Sequence, residues 1–360
     1  MREAIERIMR DHGGGGPVAL RSALRLFETG YGIASGIRNF LYDREIFNPK
    51  LVPCRIVSIG NLTVGGTGKT PVTVMTARML MNAGHPVAVV SRGYGGSAGG
   101  PLVVSDGTNV CAGAEESGDE PLIMARELPG VPVVVGADRY AAAELAYSRF
   151  QPRVIVCDDA FQHRRLARNA DIITIDCDHP YGNGHLLPRG ILRETPNGLK
   201  RARAVIVTRW REDLQHKKLE HMIHCYNKDV PVFFTIHAPA GIRVPGSDKV
   251  AGIDTLRGKR VLAMSNIAVP DSFHRTLESL GAVIAVKQVA PDHHRYTADD
   301  IAGIERLAAA SGVEMLVMTA KDEKNLPSDR LFGAVDARVV DIRAELTADS
   351  DTYLEIVAPH

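Results

Sequence analysis

From residue 56 to residue 207, short runs of β-branched and aliphatic residues alternate with stretches whose apolar positions fall at helical spacing. Ile56–Ile59, Val87–Val90, Val133–Val135, Val154–Cys157, Ile172–Ile175 and Ala204–Val207 are almost wholly apolar, as expected for strands covered on both faces. Lys69–Met81 and Ala137–Ser148 carry helical patterns. This alternation predicts a doubly wound α/β domain. A second series of strands, Val261–Met264, Val283–Val286, Met315–Met318 and Val339–Ile342, with helices Pro270–Leu280 and Ala298–Ala310, predicts a second, smaller α/β domain. The expected division is an N-terminal extension and helix over 1–50, the first α/β domain over 51–230, a linker over 231–250 where Pro and Gly scatter, and the smaller domain over 251–360.

Ahead of the first strand, Leu20, Leu24, Phe27, Tyr31, Ala34 and Leu41 lie close to helical spacing, with Arg21, Arg25, Arg38 and Arg44 interleaved. Two readings stand. The helix packs on the domain, or it lies in a membrane interface with its apolar face among acyl chains and its arginines at headgroups. No run of eighteen apolar residues exists, so no segment is expected to span a bilayer. The first sixteen residues lack the apolar core of a secretory signal, and Gly13–Gly16 reads as a flexible break. A net charge of +1 over 360 residues gives no electrostatic case for nucleic acid. The five cysteines lie far apart without C-x-x-C, which argues against a disulfide framework or a cysteine-built zinc site.

The stretch "GNLTVGGTGKTPV", Gly60 to Val72, is nearly a phosphate-binding loop of the form G-x-x-x-x-G-K-[ST]. Thr63 stands where the first glycine is usual. Gly65, Gly66, Thr67 and Gly68 remain to turn backbone N–H groups around phosphate oxygens, at the positive end of the following helix. Lys69 is placed to reach the β- and γ-phosphates, and Thr70 to ligand Mg²⁺. In "VIVCDDAFQHRR", an apolar strand ends in Asp158 and Asp159, an arrangement that delivers a carboxylate for Mg²⁺ beside such a loop. Together these motifs imply ATP or another nucleotide with Mg²⁺. They leave kinase, switch GTPase and partitioning ATPase open. The signature lysine of the partitioning ATPases is replaced by Val64, and no N-K-x-D for guanine is present.

With these residues in view, the chain resembles the tetraacyldisaccharide 4′-kinases of lipid A synthesis, P-loop enzymes that phosphorylate a disaccharide-1-phosphate lipid. The resemblance rests on "LYDREIF", "GNLTVGGTGKTP", "VVSRGYGG", "SGDEP", "GADR", "CDDAFQHRRL", "GNGHLLPRGILRE", "VIVTR" and "DHHRYT", in that order. It implies a catalytic pair, Asp119 of "GDEP" taking the acceptor proton and His293 of "PDHH" reaching in from the second domain, with hinge closure completing the site. It places Arg92, Tyr94, Arg139 and His163 near the acceptor lipid, and Arg193 and Glu194 near the γ-phosphate and Mg²⁺. It also implies ATP as donor and an acylated disaccharide phosphate lipid as acceptor. The implied location is the cytoplasmic face of the inner membrane, with the N-terminal helix as a monotopic contact. Two departures fall in the second domain: Ala320 replaces the family's glutamate in T-E-K-D, and Ser265–Phe273 differs from its Gly-Ile-Gly-x-Pro. A kinase for another membrane sugar lipid, or a regulatory or assembly NTPase, are the alternatives.

Overall fold

Strand β1 (Arg55–Asn61) runs into the glycine-rich loop, and α2 (Lys69–Asn82) leaves it; α1 is the helix Val18–Asp43 ahead of them. The computed structural model describes residues 18–211, 216–247, 250–267, 270–291, 294–327 and 332–359. The chain forms two compact units, residues 1–236 with 346–360, and residues 237–345.

In the first unit the other strands are β2 (Val87–Ser91), β3 (Leu102–Ser105), β4 (Val133–Val135), β5 (Val154–Asp158), β6 (Ala170–Asp176), β7 (Ala204–Thr208) and the start of β8 (Val232–Arg243). They order as β8-β7-β6-β1-β5-β2-β4-β3. Every neighbouring pair is parallel except β3 with β4 at the edge. The six apolar runs of the sequence are thus the interior of one sheet, and their residues are almost all buried. β1 lies between β5 and β6, with Ile59 level with Asp158. The chain leaves β1 toward β2 on one side and returns to β6 on the other. Ligands bind open α/β sheets at the carboxyl edge beside such a reversal. Helices α3 (Ala114–Ser117), α4 (Asp119–Glu127) and α5 (Arg139–Phe150) also belong to this unit.

In the second unit, β9 (Val250–Ala251) pairs antiparallel with the end of β8, and β10 (Arg260–Ser265), β11 (Val283–Val289), β12 (Met315–Thr319) and β13 (Asp336–Leu346) are parallel in the order β11-β10-β12-β13. Thr319 caps the short helix Ala320–Lys324 in a capping box with Asp322. The Thr and Asp flanking the Ala320 departure therefore have a local structural task, whatever residue lies between them.

The expected linker and C-terminal boundary need correction. The segment read as a linker contains β8, which pairs in parallel with β7 through Val205 and Val232. Its first residues, Val-Phe-Phe-Thr-Ile, satisfy strand preference before the prolines and glycines intervene. The last fifteen residues belong to the first unit instead of the second. Their helix Ser350–Val357 buries Tyr353, whose hydroxyl meets Thr76 Oγ1 of α2 at 2.7 Å and whose ring lies edge-on to Phe233. Arg55 of β1 donates to the carbonyls of Ile356 and Val357.

Candidate active site

The loop between β1 and α2 is shaped from outside. Thr63, at the position of the missing glycine, is buried and forms an antiparallel bridge with Leu192. The Val64 N–H donates to Ile191 O at 2.7 Å, and the Arg193 N–H donates to Leu62 O at 2.7 Å. An extended residue fits this bridge, and no left-handed turn is needed there. The turns come later, with Gly65 at φ 107° and Gly68 at φ 76°. The loop's carbonyls are drawn outward: Thr208 Oγ1 donates to Thr67 O at 2.9 Å and Arg209 Nη2 to Gly66 O at 2.8 Å. Thr67 Oγ1 accepts from Asn61 Nδ2 at 2.8 Å and contacts Thr174 Oγ1 at 2.9 Å. The Thr67 N–H closes the loop on Gly65 O at 3.1 Å, and the N–H groups of Gly66, Gly68 and Lys69 are left for an anion. Lys69 and Thr70 open α2 at the head of this loop.

The two acids at the end of β5 have different surroundings. Asp158 is buried and accepts from Thr73 Oγ1 at 2.9 Å and from Ser91 Oγ at 3.4 Å. Burial, reinforced by the charge of Glu120, pushes its carboxyl up to about 6. Asp159 adopts the left-handed conformation, φ 49°. Its Oδ1 lies 2.8 Å from Arg193 Nη1 and 3.5 Å from Lys69 Nζ. Burial alone would raise this carboxyl, but Lys69 and Arg193 outweigh it and hold it below the usual range. One edge of the sheet thus holds an ionised carboxylate under two cations beside a carboxyl of raised pKa. Two carboxylates and the Thr70 hydroxyl are the hard oxygen donors that Mg²⁺ requires. Gly60 permits this closeness: a Cβ there would sit 2.4 Å from the Cβ of Phe161, in the turn after the acids.

Asp119 is presented by a turn packed through glycines. A Cβ on Gly96 would lie 2.3 Å from Glu116 O, and one on Gly118 would lie 2.4 Å from Tyr94 O. "SRGYGG" and "SGDEP" are therefore two backbones in direct apposition, and Asp119 starts α4 from Gly118 at φ 85°, ψ 163°. Arg92 and Tyr94 are exposed on this loop. Arg139, expected at the acceptor, is buried, and its guanidinium donates to the carbonyls of Gly136, Ala137, Asp158 and Asp159. It braces the acid-bearing turn. Asp138 caps α5 through the Tyr140 N–H, pairs with Arg165, and lies 3.4 Å from His163 Nε2. Burial, with the charge of Arg139, holds the His163 imidazole below its ordinary pKa.

Glu194, expected near Mg²⁺, is buried against α1. Its Oε2 accepts from Asn39 Nδ2 at 3.0 Å and Arg201 Nη2 at 2.7 Å, and Arg38 Nη2 lies 3.6 Å from Oε1. Arg38 is thus turned toward the protein and away from the headgroup role read from the sequence. The stripe read along α1 mostly faces the protein too: Leu24 is buried, and Leu20, Tyr31 and Leu41 are partly so. Phe27 and Ala34 of that stripe are exposed, and the larger exposed apolar side lies elsewhere on the helix. Leu26, Phe27, Ile33, Ile37 and Phe40 are each more than half exposed, and Ile46, Phe47 and Leu51 extend it past the helix. Among the described residues no helix is long and apolar enough to cross a membrane. His293 lies outside the described residues. Glu120, Thr73, Thr208 and Arg209 are site elements the sequence did not single out. "VIVTR" contained the last two, but a strand end shows its contacts only once its neighbours are known.

A strand, a glycine-rich loop and a helix N-terminus, with the acids of a parallel neighbour facing the loop's lysine, define a P-loop nucleotide-binding domain. The model of the LpxK family, Tetraacyldisaccharide-1-P 4'-kinase, matches residues 20–358. The chain belongs to that family. It is 41% identical over 357 residues to the Tetraacyldisaccharide 4'-kinase of Syntrophus aciditrophicus (strain SB), covering 94% of this chain and 95% of that one. Identity to the protein of the same name from Anaeromyxobacter dehalogenans (strain 2CP-C) is 40% over 334 residues, covering 91% and 87%. Among solved structures, LpxK from Aquifex aeolicus in complex with ATP is similar at a TM-score of 0.74 and 28% identity, covering 94% of this chain and 98% of that one.

Proposed function

We propose that this chain transfers the γ-phosphate of ATP to the 4′-hydroxyl of a tetraacyldisaccharide 1-phosphate. The observation that carries the reading is the convergence of Lys69 and Arg193 on Asp159 beside an anion-ready loop, with Glu120 of the "GDEP" turn close enough to act on Asp158. Phosphoryl transfer depends mainly on positioning and charge neutralisation, and these groups supply both. In this reading the loop N–H groups and Lys69 hold the β- and γ-phosphates. Asp119 accepts the proton of the attacking hydroxyl, with His293 as its expected partner. Arg193 bears on the γ-phosphate, and Arg92 and Tyr94 meet the acceptor. Arg139 and His163 support the acceptor side from behind, through the acid turn and Asp138.

Mg²⁺ would be held by Thr70 with Asp158 and Asp159 and would neutralise charge between the phosphates. Glu194 is assigned to anchoring α1, since its carboxylate is already engaged by Arg201 and Asn39. The exposed apolar side of α1 fits an acyl-chain interface, with the protein seated on the cytoplasmic face of the inner membrane.

The test is transfer of label from γ-labelled ATP to a tetraacyl disaccharide 1-phosphate in detergent micelles, with Asp119→Ala alongside. Label in the lipid, reduced by orders of magnitude in the variant, supports the reading. ATP bound and slowly hydrolysed with no label in the lipid would overturn the acceptor assignment.

A further inference from the structure

Helix α1 has two sides with opposite chemistry. At 100° per residue, Leu26, Ile33, Ile37 and Phe40 fall on one side, and Leu24, Glu28, Tyr31, Ser35 and Asn39 on the other. The exposed side is apolar, and the side against the protein carries polar groups. A helix that served only to hold the protein at a surface could be fixed to the domain by any apolar contact. This one directs Glu28, Tyr31, Arg38 and the Asn39 side chain to one segment, residues 185–194, while its C-terminal end meets Arg164 through Asn39 O and Asp43.

Glu28 makes three contacts there. Its Oε1 accepts from the Leu186 N–H at 3.1 Å and lies 3.2 Å from His185 Nδ1, and its Oε2 lies 3.1 Å from Arg189 Nη1. Its side chain is largely buried. The segment is closed on itself by Leu187 N–H to Leu192 O at 2.9 Å, Leu192 N–H to His185 O at 3.1 Å and Gly190 N–H to Leu186 O at 2.9 Å. It is tight enough that a Cβ on Gly190 would lie 2.1 Å from Asn183 Oδ1. Tyr31 acts closer to the chemistry. Its hydroxyl donates to the carbonyl of Arg193 at 2.9 Å. Arg193 in turn places its guanidinium on Asp159 and its N–H on Leu62 O of the phosphate loop.

We infer that Tyr31 and Glu28 are positioning residues for phosphate transfer: through residues 185–194 they set Arg193 against Asp159 and hold the Thr63 end of the loop. The proposal deepens the kinase reading and rests on it for the identity of the reaction. It makes α1 part of the site's framework, in addition to any role at a surface. Only one bond joins Tyr31 to the Arg193 backbone, and the Arg193 guanidinium follows on the same residue. A shift of α1 therefore reaches the carboxylate without passing through the sheet.

The experiment compares Tyr31→Phe, Glu28→Gln, Arg193→Met and the pairs with Arg193→Met in the full chain. Three quantities are read: kcat and the KM for ATP in micelles, affinity for fluorescent ATP and ADP analogues, and melting temperature. A lost neutral hydrogen bond is commonly worth about fivefold. Tyr31→Phe is expected to lower kcat about fivefold and Glu28→Gln about tenfold. Both should narrow the preference for the ATP over the ADP analogue, which a loss of folded protein would not do. In the Arg193→Met background both effects should shrink, leaving only the part carried by the backbone contacts of the loop, because residues acting in one chain are not additive. Unchanged kcat and unchanged nucleotide preference, or full effects persisting without the Arg193 side chain, would overturn the proposal. If the wild-type chain puts no label in the lipid, the acceptor reading fails. The positioning proposal is then judged on the nucleotide preference, which needs no acceptor.

Discussion

Arg209 offers the sharpest separation of function from stability. It follows β7 directly, in the left-handed conformation, φ 58°, which is uncommon for a residue with a side chain. Two partners hold it there: Gly66 O at 2.8 Å and the carboxylate of Asp176. Both side chains of the ion pair are about nine-tenths buried, at 10% and 11% exposure. Arg209→Met removes a hydrogen bond from a charged donor, worth about 1.5–3 kcal/mol. At about 1.4 kcal/mol per tenfold, ATP should bind about 10- to 100-fold more weakly once Gly66 O is free to turn inward. The same change leaves the Asp176 charge buried without its partner, at a cost of about 3–5 kcal/mol in stability. Adding Asp176→Asn removes that charge while keeping an oxygen for the Asp178 N–H, now 3.1 Å from Asp176 Oδ1. The double variant should regain most of the lost melting temperature and none of the ATP affinity. Calorimetry for stability and titration with an ATP analogue for affinity read the two quantities separately. If the double variant bound ATP like the wild type, the claim that Arg209 shapes the loop would be wrong.

Other consequences follow from single contacts. Because Asp158 is pushed up to about 6, the folded chain holds a proton that the unfolded chain releases in the ordinary carboxylate range. Without Mg²⁺, this group's contribution to stability is full below about pH 4, is lost as pH rises to about 6, and stays lost above. Asp158→Asn should flatten that slope in melting temperature against pH and abolish transfer; an unchanged slope would move its origin elsewhere. Gly118→Ala places a Cβ 2.4 Å from Tyr94 O at a backbone angle reserved for glycine. It should cut lipid phosphorylation at least tenfold while ATP binds nearly normally; a normal transfer rate would show that the turn does not aim Asp119. Ile33→Ser, Ile37→Ser and Phe40→Ser together remove three exposed apolar side chains, worth about 1 kcal/mol each at an interface. Vesicle sedimentation should show binding weakened about a hundredfold with little change in melting temperature.

Much of the first unit could be read from the sequence because a parallel sheet covered on both faces makes each strand a short apolar run. The edge strand Leu102–Ser105 is a run of the same kind, Leu-Val-Val, absent from the strands read above, whereas the return of the C-terminus carried no such signal. Tyr353 is one buried aromatic in a short helix, and its partners Thr76 and Phe233 lie far from it in the chain. Lys69, Asp158 and Asp159 could be read for a different reason: a loop, a lysine and a strand-end acid are local motifs. What the motifs did not show is what shapes them. Thr73, Thr208 and Arg209 act on the loop and acids across strand and helix boundaries, so no spacing in the sequence marks them.

The N-terminal helix shows how one periodicity can leave a second apolar side unread: the stripe through Leu24 mostly faces the domain. Amphipathic patterns are read on the assumption that apolar positions turn inward. In α1 the inward side holds Glu28, Tyr31, Arg38 and Asn39, each with a partner on the domain, while Leu26, Ile33, Ile37 and Phe40 point away. In water the exposed apolar area of such a helix lowers solubility, and its inward polar groups offset their lost hydration through the hydrogen bonds they make. The arrangement becomes favourable when the outer side meets acyl chains and the polar contacts inside are fully made. Both conditions bear on the same residues. A surface that receives the outer side of α1 also fixes the inner side, and the inner side ends on the carbonyl of Arg193. In the proposed membrane-bound state, attachment and the geometry of the phosphate site would be built from one helix.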